Sequence, residues 1–228
     1  MKRIIIMAIL TSILFTGCAM LAMNPAKTGQ VLNTEIHAIR NSMGAVYLLN
    51  TGNGYVMFDA GSNTKNLEAS LKKADINPND VKWILLSHSD SDHVAGLPLF
   101  QNAIIYMNED EIQLVNGTTN RNRSGGNVIP FGINIDEIVL LQNGQELVFG
   151  ETKIECIKAP GHTPGSMLYL VNDKYLFVGD AFGIIRGRRI VHPFTMDKEL
   201  AERTIEQLKI RIDNSSIILT SHYGFIGN

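Results

Sequence analysis

The fold of this chain is decided by residues 87–93, which read Ser87-His88-Ser89-Asp90-Ser91-Asp92-His93. Two histidines and two carboxylates lie within six positions, and small serines between them allow a tight turn. The apolar run 81–86 leads directly into this turn and is typical of a buried strand. Imidazole and carboxylate are metal ligands, and the mixture suits Zn, Fe or Mn better than Ca or Mg. The alternative is a solvated Ser/Asp turn, which does not explain four ligand-type residues at a strand end.

Ligand-type side chains follow apolar segments at three further places. His162 lies in a Gly/Pro-rich loop between two strand-like runs, and Asp180 and His222 each follow a predicted strand. Strand ends at one edge of a two-sheet fold can meet at one site. A single histidine is more often a structural residue. Four histidines and three aspartates with the same placement indicate a metal centre.

The alternation of strands and helices predicts the layers around this site. Both halves of the chain are rich in strand-like runs, and each half carries helices, the longest expected at 65–74 and 198–212. Such halves predict an α/β fold in which two mixed β-sheets pack face to face with helices outside. Residues 116–127 and 181–196 are expected to be long loops, which are often functional.

These motifs resemble those of the metallo-β-lactamase fold superfamily. The family has a His-x-His-x-Asp-His motif, a Pro-Gly-His-Thr-Pro-Gly segment, a strand-end aspartate, a closing histidine and an early Asp-x-Gly. The matching positions here are 88–93, 160–165, Asp180, His222 and Asp59, in the family's order. The resemblance runs from about residue 35 to residue 222. It implies a four-layer αββα sandwich of two mixed β-sheets with helices on the outer faces.

The resemblance also implies a dinuclear metal-dependent hydrolase. Two divalent ions are expected, with zinc first and iron or manganese as alternatives. Their implied ligands are His88, Asp90 and His162 for the first ion, Asp92, His93 and His222 for the second, and Asp180 as the bridge. Paired metals turn a shared water into hydroxide at neutral pH. Asp92, beside that water, is the implied catalytic residue that orients it and shuttles a proton.

One position departs from the family's commonest pattern. Asp90 stands where the second histidine of the motif usually lies, and the flavodiiron branch of the family carries a carboxylate there and holds iron. An added negative charge lowers the Lewis acidity of the first metal. We therefore expect the first metal to bind more weakly than the second, or to favour Fe or Mn over Zn.

The expected substrate is a small molecule with an ester, thioester, lactone, lactam or phosphodiester bond. Two other functions stay open: a diiron redox protein, and a metal-binding lipoprotein without catalysis. The arginines of the two predicted loops either bind an anionic group or are solvated surface charges: Arg121, Arg123, Arg186, Arg188 and Arg189. His192 lines the pocket or packs in the core, and Tyr223 is a candidate hydrogen-bond donor to an oxyanion.

The 228 residues include a distinct N-terminal segment. A basic start, a short apolar run and Thr16-Gly17-Cys18, which resembles the lipobox of bacterial lipoproteins, predict that residues 1–17 are a lipoprotein signal peptide. The apolar run is too short to span a bilayer, which takes about 20 residues. Cys18 is then lipidated, residues 18–32 form a tether, and 33–228 form one metallo-β-lactamase-like domain. An ordinary cleaved signal or an uncleaved anchor is the alternative. The formal net charge of −2 gives no sign of nucleic-acid binding.

The protein is therefore expected to be exported and lipid-anchored to a bacterial cell membrane, which is its second partner besides the substrate. Exchanging Cys18 for alanine should release the protein from the membrane fraction, because the acyl chains would be lost. Unchanged membrane attachment of Cys18→Ala in cell fractionation would exclude the lipidated cysteine. The second cysteine, Cys156, lies in an alternating run and is expected to be a core residue.

Overall fold

A computed structural model describes residues 21–32, 34–121, 129 and 133–227. The predicted signal peptide, Cys18 and Arg123 lie outside these residues and stay predictions. The first sheet contains seven strands: β1 Gly29–Gln30, β2 Ile36–Asn41, β3 Gly44–Asn50, β4 Tyr55–Phe58, β5 Val81–Leu85, β6 Ile104–Asn108 and β7 Val139–Leu141. The second contains six: β8 Glu146–Phe149, β9 Thr152–Lys158, β10 Met167–Val171, β11 Tyr175–Gly179, β14 Ile217–Thr220 and β15 Phe225–Gly227.

Both sheets are mixed. In the first, the strands follow chain order from β1 to β7, antiparallel as far as β4 and parallel from β4 onward. In the second, the order is β15-β14-β11-β10-β9-β8, and only β11 and β14 are parallel. Parallel neighbours require a crossover, and helices supply it in both sheets.

Alternation along the strands divides the core into layers. In β10, Met167, Tyr169 and Val171 point into the cluster between the two sheets, whereas Leu168 and Leu170 point into the cluster on the outer face. All five are buried, as expected for a strand covered on both faces. The core therefore consists of one cluster between the sheets and one on the outside of each sheet.

Helices cover the outer faces. The main helices are α1 Thr64–Lys73, α2 Ser91–Val94, α3 Ile112–Val115, α4 Lys198–Gln207 and α5 Lys209–Asn214. Helix α1 begins at Asn63, whose side chain accepts a hydrogen bond from the backbone of Asn66, and it packs Leu67 and Leu71 on the first sheet. Ile212 of α5 packs on the second sheet. The expected four-layer αββα arrangement is confirmed.

Three details differ from the sequence-based expectations. Residues 181–196 contain a hairpin, β12 Gly183–Ile185 and β13 Arg188–Ile190, because the turn with positive φ at Arg186 and Gly187 pairs two short runs. The helix expected at 198–212 is interrupted at Leu208. Part of the expected tether is folded, since β1 pairs with β2 and Val31 is fully buried between the sheets. Within the described residues, no helix is long and apolar enough to cross a bilayer.

Candidate metal centre

The centre forms where strand ends from both sheets meet. Strand β5 ends at Leu85, and the ligand turn 87–93 follows; β11 ends at Gly179, directly before Asp180; and β14 ends at Thr220, two residues before His222. The four expected ligand histidines are all at most 5 % exposed. All seven residues that the sequence singled out therefore lie at one edge of the sandwich.

Three of the histidine rings are oriented by hydrogen bonds that their Nδ1 atoms make. The contacts are His88 to the Ser87 hydroxyl at 2.9 Å, His93 to the Asp59 carboxylate at 2.8 Å, and His222 to the Met43 carbonyl at 2.9 Å. A carboxylate and a carbonyl only accept, and the Ser87 hydroxyl donates its own hydrogen to Asp59. Each Nδ1 therefore carries a proton, and each Nε2 points into the centre, as in metal-binding histidines.

Asp180 lies in the middle of these rings. Its Oδ2 atom is 3.5 Å from Nε2 of His93, 3.7 Å from Nε2 of His162 and 3.3 Å from Nε2 of His222. The side chains form two sets of three ligand atoms. Within each set, all three atoms lie within 4.8 Å of one another. The first set is His88, His162 and Asp180, and the second set is Asp92, His93 and His222.

The orphaned atoms of the centre fit divalent metal ions. Nε2 of His88, Nε2 of His93 and Oδ1 of Asp180 are buried without a hydrogen-bond partner among the described residues. Buried polar atoms are normally satisfied, so three orphans at one point indicate a missing partner. Imidazole and carboxylate are the donor types that zinc, iron and manganese accept.

The charges of the centre also favour a cation. Burial lowers the pKa of His162 to about 3, so this ring is neutral at pH 7, as a metal ligand must be. Burial also opposes a charge on His222, but Asp180 outweighs it and raises the pKa of His222 to about 10. The proton on His222 supplies a positive charge that balances the neighbouring carboxylates. A divalent ion in place of this proton would supply a larger positive charge to the same carboxylates.

Asp90 is held by an arginine. Its Oδ2 atom lies 3.5 Å from Nε2 of His88 and 3.4 Å from Nε2 of His162, but only 2.5 Å from Nη2 of Arg121. Asp90 is in neither set of three ligand atoms, although its Oδ2 lies as close to these two ring nitrogens as Asp180 does to the rings around it. Its role as a ligand of the first metal stays a prediction, and the ion pair with Arg121 was not foreseen.

His192 joins the centre, which decides the question that the sequence left open. Its Nε2 atom lies 3.5 Å from Oδ2 of Asp180, and neither ring nitrogen has a hydrogen-bond partner among the described residues. With Asp180 and His222 it forms a third set of ligand atoms. One signal was available: like His222, His192 comes shortly after a strand, β13.

Asp59 holds the turn 87–93 in place through hydrogen bonds. Its carboxylate accepts hydrogen bonds from the backbone and the hydroxyl of Ser87 and contacts His93. The residue adopts a positive φ of 60°, an uncommon conformation for a residue with a side chain. Such strain is concentrated at functional sites. The Asp-x-Gly segment that resembles the family's early motif therefore holds the ligand turn in place.

Glu111 joins the two ligand loops and was missed by sequence reasoning. Its Oε1 accepts from the backbone and hydroxyl of Ser89, and its Oε2 accepts from the Thr163 hydroxyl and the Gly165 backbone. The residue is fully buried. A Cβ on Gly165 would lie 2.4 Å from the backbone nitrogen of Glu111, so this close contact requires glycine. One buried carboxylate therefore fixes His88 relative to His162.

The other arginines of the predicted loops lie elsewhere. Arg186 and Arg188 are exposed on the hairpin of β12 and β13, and Arg189 pairs with Asp213. Only Arg121, among the described arginines of these loops, contacts an expected ligand. The hydroxyl of Tyr223 is buried without a partner among the described residues, and its ring packs against His192 at 6.1 Å.

Known proteins resemble the chain in sequence. It is 26 % identical over 172 residues to a "probable metallo-hydrolase" of Methanocaldococcus jannaschii, a match that covers 72 % of this chain and 70 % of the relative. It is 32 % identical over 109 residues to an anaerobic nitric oxide reductase flavorubredoxin homolog of Escherichia coli O157:H7. That match covers 46 % of this chain and only 24 % of the relative.

Solved structures resemble the chain in fold. A subclass B3 metallo-beta-lactamase of Bradyrhizobium japonicum superposes with a TM-score of 0.68 at 20 % identity, covering 88 % of this chain and 79 % of the other. An archaeal metallo-beta-lactamase superfamily protein of Sulfolobus tokodaii gives 0.63 at 20 % identity, covering 85 % and 82 %. The sequence profile of the metallo-beta-lactamase superfamily matches residues 39–222. Because this match runs from the second strand to the last histidine of the metal centre, the chain belongs to the metallo-beta-lactamase superfamily.

Proposed function

We propose that the protein is a metal-dependent hydrolase with a dinuclear centre, acting on an ester, thioester, lactone, lactam or phosphodiester of a small molecule. One observation carries this proposal. A single carboxylate oxygen, Oδ2 of Asp180, lies within 3.7 Å of Nε2 atoms from His93, His162 and His222, which belong to two adjacent ligand sets. A shared oxygen of this kind is suited to bridging two ions.

Divalent ions held here would activate water as the nucleophile and polarise the carbonyl or phosphoryl oxygen of the substrate. The chain's own groups perform the remaining tasks. Asp92 is the most open acidic group of the centre, with its side chain 45 % exposed, and its Oδ2 lies 3.3 Å from Nε2 of His222. From this position it can orient the attacking water and carry a proton to the leaving group.

Tyr223 is the candidate donor to the developing oxyanion. Its hydroxyl has no partner among the described residues, and its ring lies beside His192 in the centre. Burial raises the pKa of Tyr223 to about 12, so the hydroxyl stays protonated at neutral pH and remains a donor. A donor placed beforehand at the point where charge develops stabilises the transition state.

A metal analysis combined with a substrate panel tests the proposal. The purified protein is stripped with a chelator, reloaded with zinc, iron or manganese in turn, and assayed against one substrate of each of the five classes. We expect hydrolysis of at least one class to appear on reloading and to disappear again on chelation. Bound metal without turnover in any class would instead identify a metal-binding protein without catalysis and would reject the hydrolase.

A second candidate function is an iron-dependent redox reaction. It is favoured by the 109-residue similarity to the flavorubredoxin homolog and by the carboxylate Asp90 in the first motif. The contact between Asp90 and Arg121 weighs against it, because the carboxylate that suggests iron is already paired with a guanidinium. Consumption of nitric oxide by the iron-loaded protein with a chemical reductant, in the absence of any hydrolysis, would favour this function over the first.

A further inference from the structure

A guanidinium lies inside the first ligand set. Nη2 of Arg121 is 2.5 Å from Oδ2 of Asp90 and 3.1 Å from Nε2 of His162, and Nη1 donates to the His162 carbonyl at 2.6 Å. Nη2 also donates to the carbonyl of Phe194 at 3.1 Å. Two of the atoms expected to bind the first metal, from Asp90 and His162, are therefore hydrogen-bond acceptors for one arginine.

Arg121 carries a permanent positive charge. A guanidinium does not deprotonate in proteins, and this one is only 5 % exposed. A buried charge is tolerated when it is paired and hydrogen-bonded, and Asp90 provides the pair. The carboxylate of Asp90 in the first motif and the buried Arg121 therefore neutralise each other's charge.

The two ligand sets consequently differ in charge. At the first set, the negative charge of Asp90 is cancelled by Arg121, and the guanidinium repels a second cation at short range. At the second set, the ion pairs of Asp92 among the described residues are all with histidines, which give up their protons to a metal. The second set therefore keeps its negative charge for an incoming ion.

We infer that Arg121 sets the order in which the two ligand sets fill: the set of Asp92, His93 and His222 binds metal first and tightly, and the set of His88 and His162 binds second and weakly. Asp90 serves as the counter-ion of Arg121 rather than as a metal ligand while the arginine is present. The inference rests on the proposed two-metal centre.

Zinc titration of the metal-free protein against a competing chelator tests this order. The wild type should show one tight step and a much weaker second step. Arg121→Gln keeps an amide donor for the His162 carbonyl but removes the charge, so the weak step should tighten by about tenfold or more while the tight step stays unchanged. The exposed Arg188→Gln is the matched control and should leave both steps as in the wild type. An unchanged or weaker second step in Arg121→Gln would overturn the inference.

A double exchange separates repulsion by Arg121 from ligation by Asp90 and avoids leaving a buried charge unpaired. In Asp90→Asn/Arg121→Gln neither charge remains, so its gain in zinc affinity over Asp90→Asn reports the removal of the guanidinium in a protein that already lacks the Asp90 carboxylate. We expect the second zinc affinity to rise from Asp90→Asn through the wild type and the double exchange to Arg121→Gln. A double exchange that binds the second zinc no better than Asp90→Asn would overturn the inference.

These measurements count bound zinc and use no substrate. Failure of the proposed hydrolase in the substrate panel would leave the titration result unaffected. Conversely, two equally tight zinc steps in the wild type would reject the role of Arg121 while leaving hydrolysis intact. Circular dichroism of each metal-free variant verifies that the fold is retained before titration.

Discussion

Exchanging Asp180 for alanine should remove metal from both ligand sets and lower any hydrolytic rate by about a hundredfold or more. Among the described residues, its Oδ2 atom is the one carboxylate oxygen that lies near Nε2 of His93, His162, His192 and His222 together. Without it, the four imidazoles lose the carboxylate that they share, and Asp92 and Asp90 remain only at the two sides of the centre. Metal content per chain after dialysis, measured with the rate, checks this expectation.

Two further variants sharpen the Asp180 experiment. Asp180→Asn keeps the shape of the side chain but removes its negative charge, so it should also bind metal poorly if the charge is what matters. Asp136→Ala, on an exposed residue far along the chain from any ligand, is the matched control and should retain the metal content and rate of the wild type. Full metal content in both Asp180 variants would refute a two-metal centre bridged by this residue.

Exchanging Glu111 for alanine should destabilise the metal-free protein by roughly 3 kcal/mol or more, because buried donors of Ser89, Thr163 and Gly165 lose this acceptor. For a domain of this size, that loss corresponds to a fall in the melting temperature of roughly 10 °C. Metal affinity should fall as well, since the carboxylate ties the loop of His88 to the loop of His162. Thermal unfolding without metal separates the first effect from the second.

The chain offers matched comparisons for Glu111. Glu111→Gln keeps the size but turns an amide NH₂ toward an N–H or hydroxyl donor, so we expect most of the destabilisation to remain. Glu68→Ala, on the exposed side of α1, should change the melting temperature by no more than about 2 °C. A Glu111→Ala protein that melts with the wild type would show that the two ligand loops hold their geometry without this carboxylate.

Much of the fold could be predicted from the sequence because strands and turns have recognisable local sequence patterns. The run 81–86 forms strand β5, and strands end just before Asp180 and His222 as expected, since each is a continuous apolar run followed by polar residues. The hairpin of β12 and β13 was missed because its strands are three residues long, too short for a periodic pattern. The expected tether was misjudged at Val31, whose burial depends on a partner sheet and not on its neighbours in sequence.

The candidate centre, too, was predicted from the sequence only in part. By itself, the sequence determined which ligand-type residues lie at strand ends, because an apolar run and the polar residue after it are adjacent in the chain. Only the tertiary structure decided which groups surround them. Arg121 reaches Asp90 across 31 positions, and Glu111 reaches Ser89 across 22 and Thr163 across 52. Such contacts depend on how separate loops fold against one another, and no local pattern of hydrophobicity, charge or turn residues encodes that.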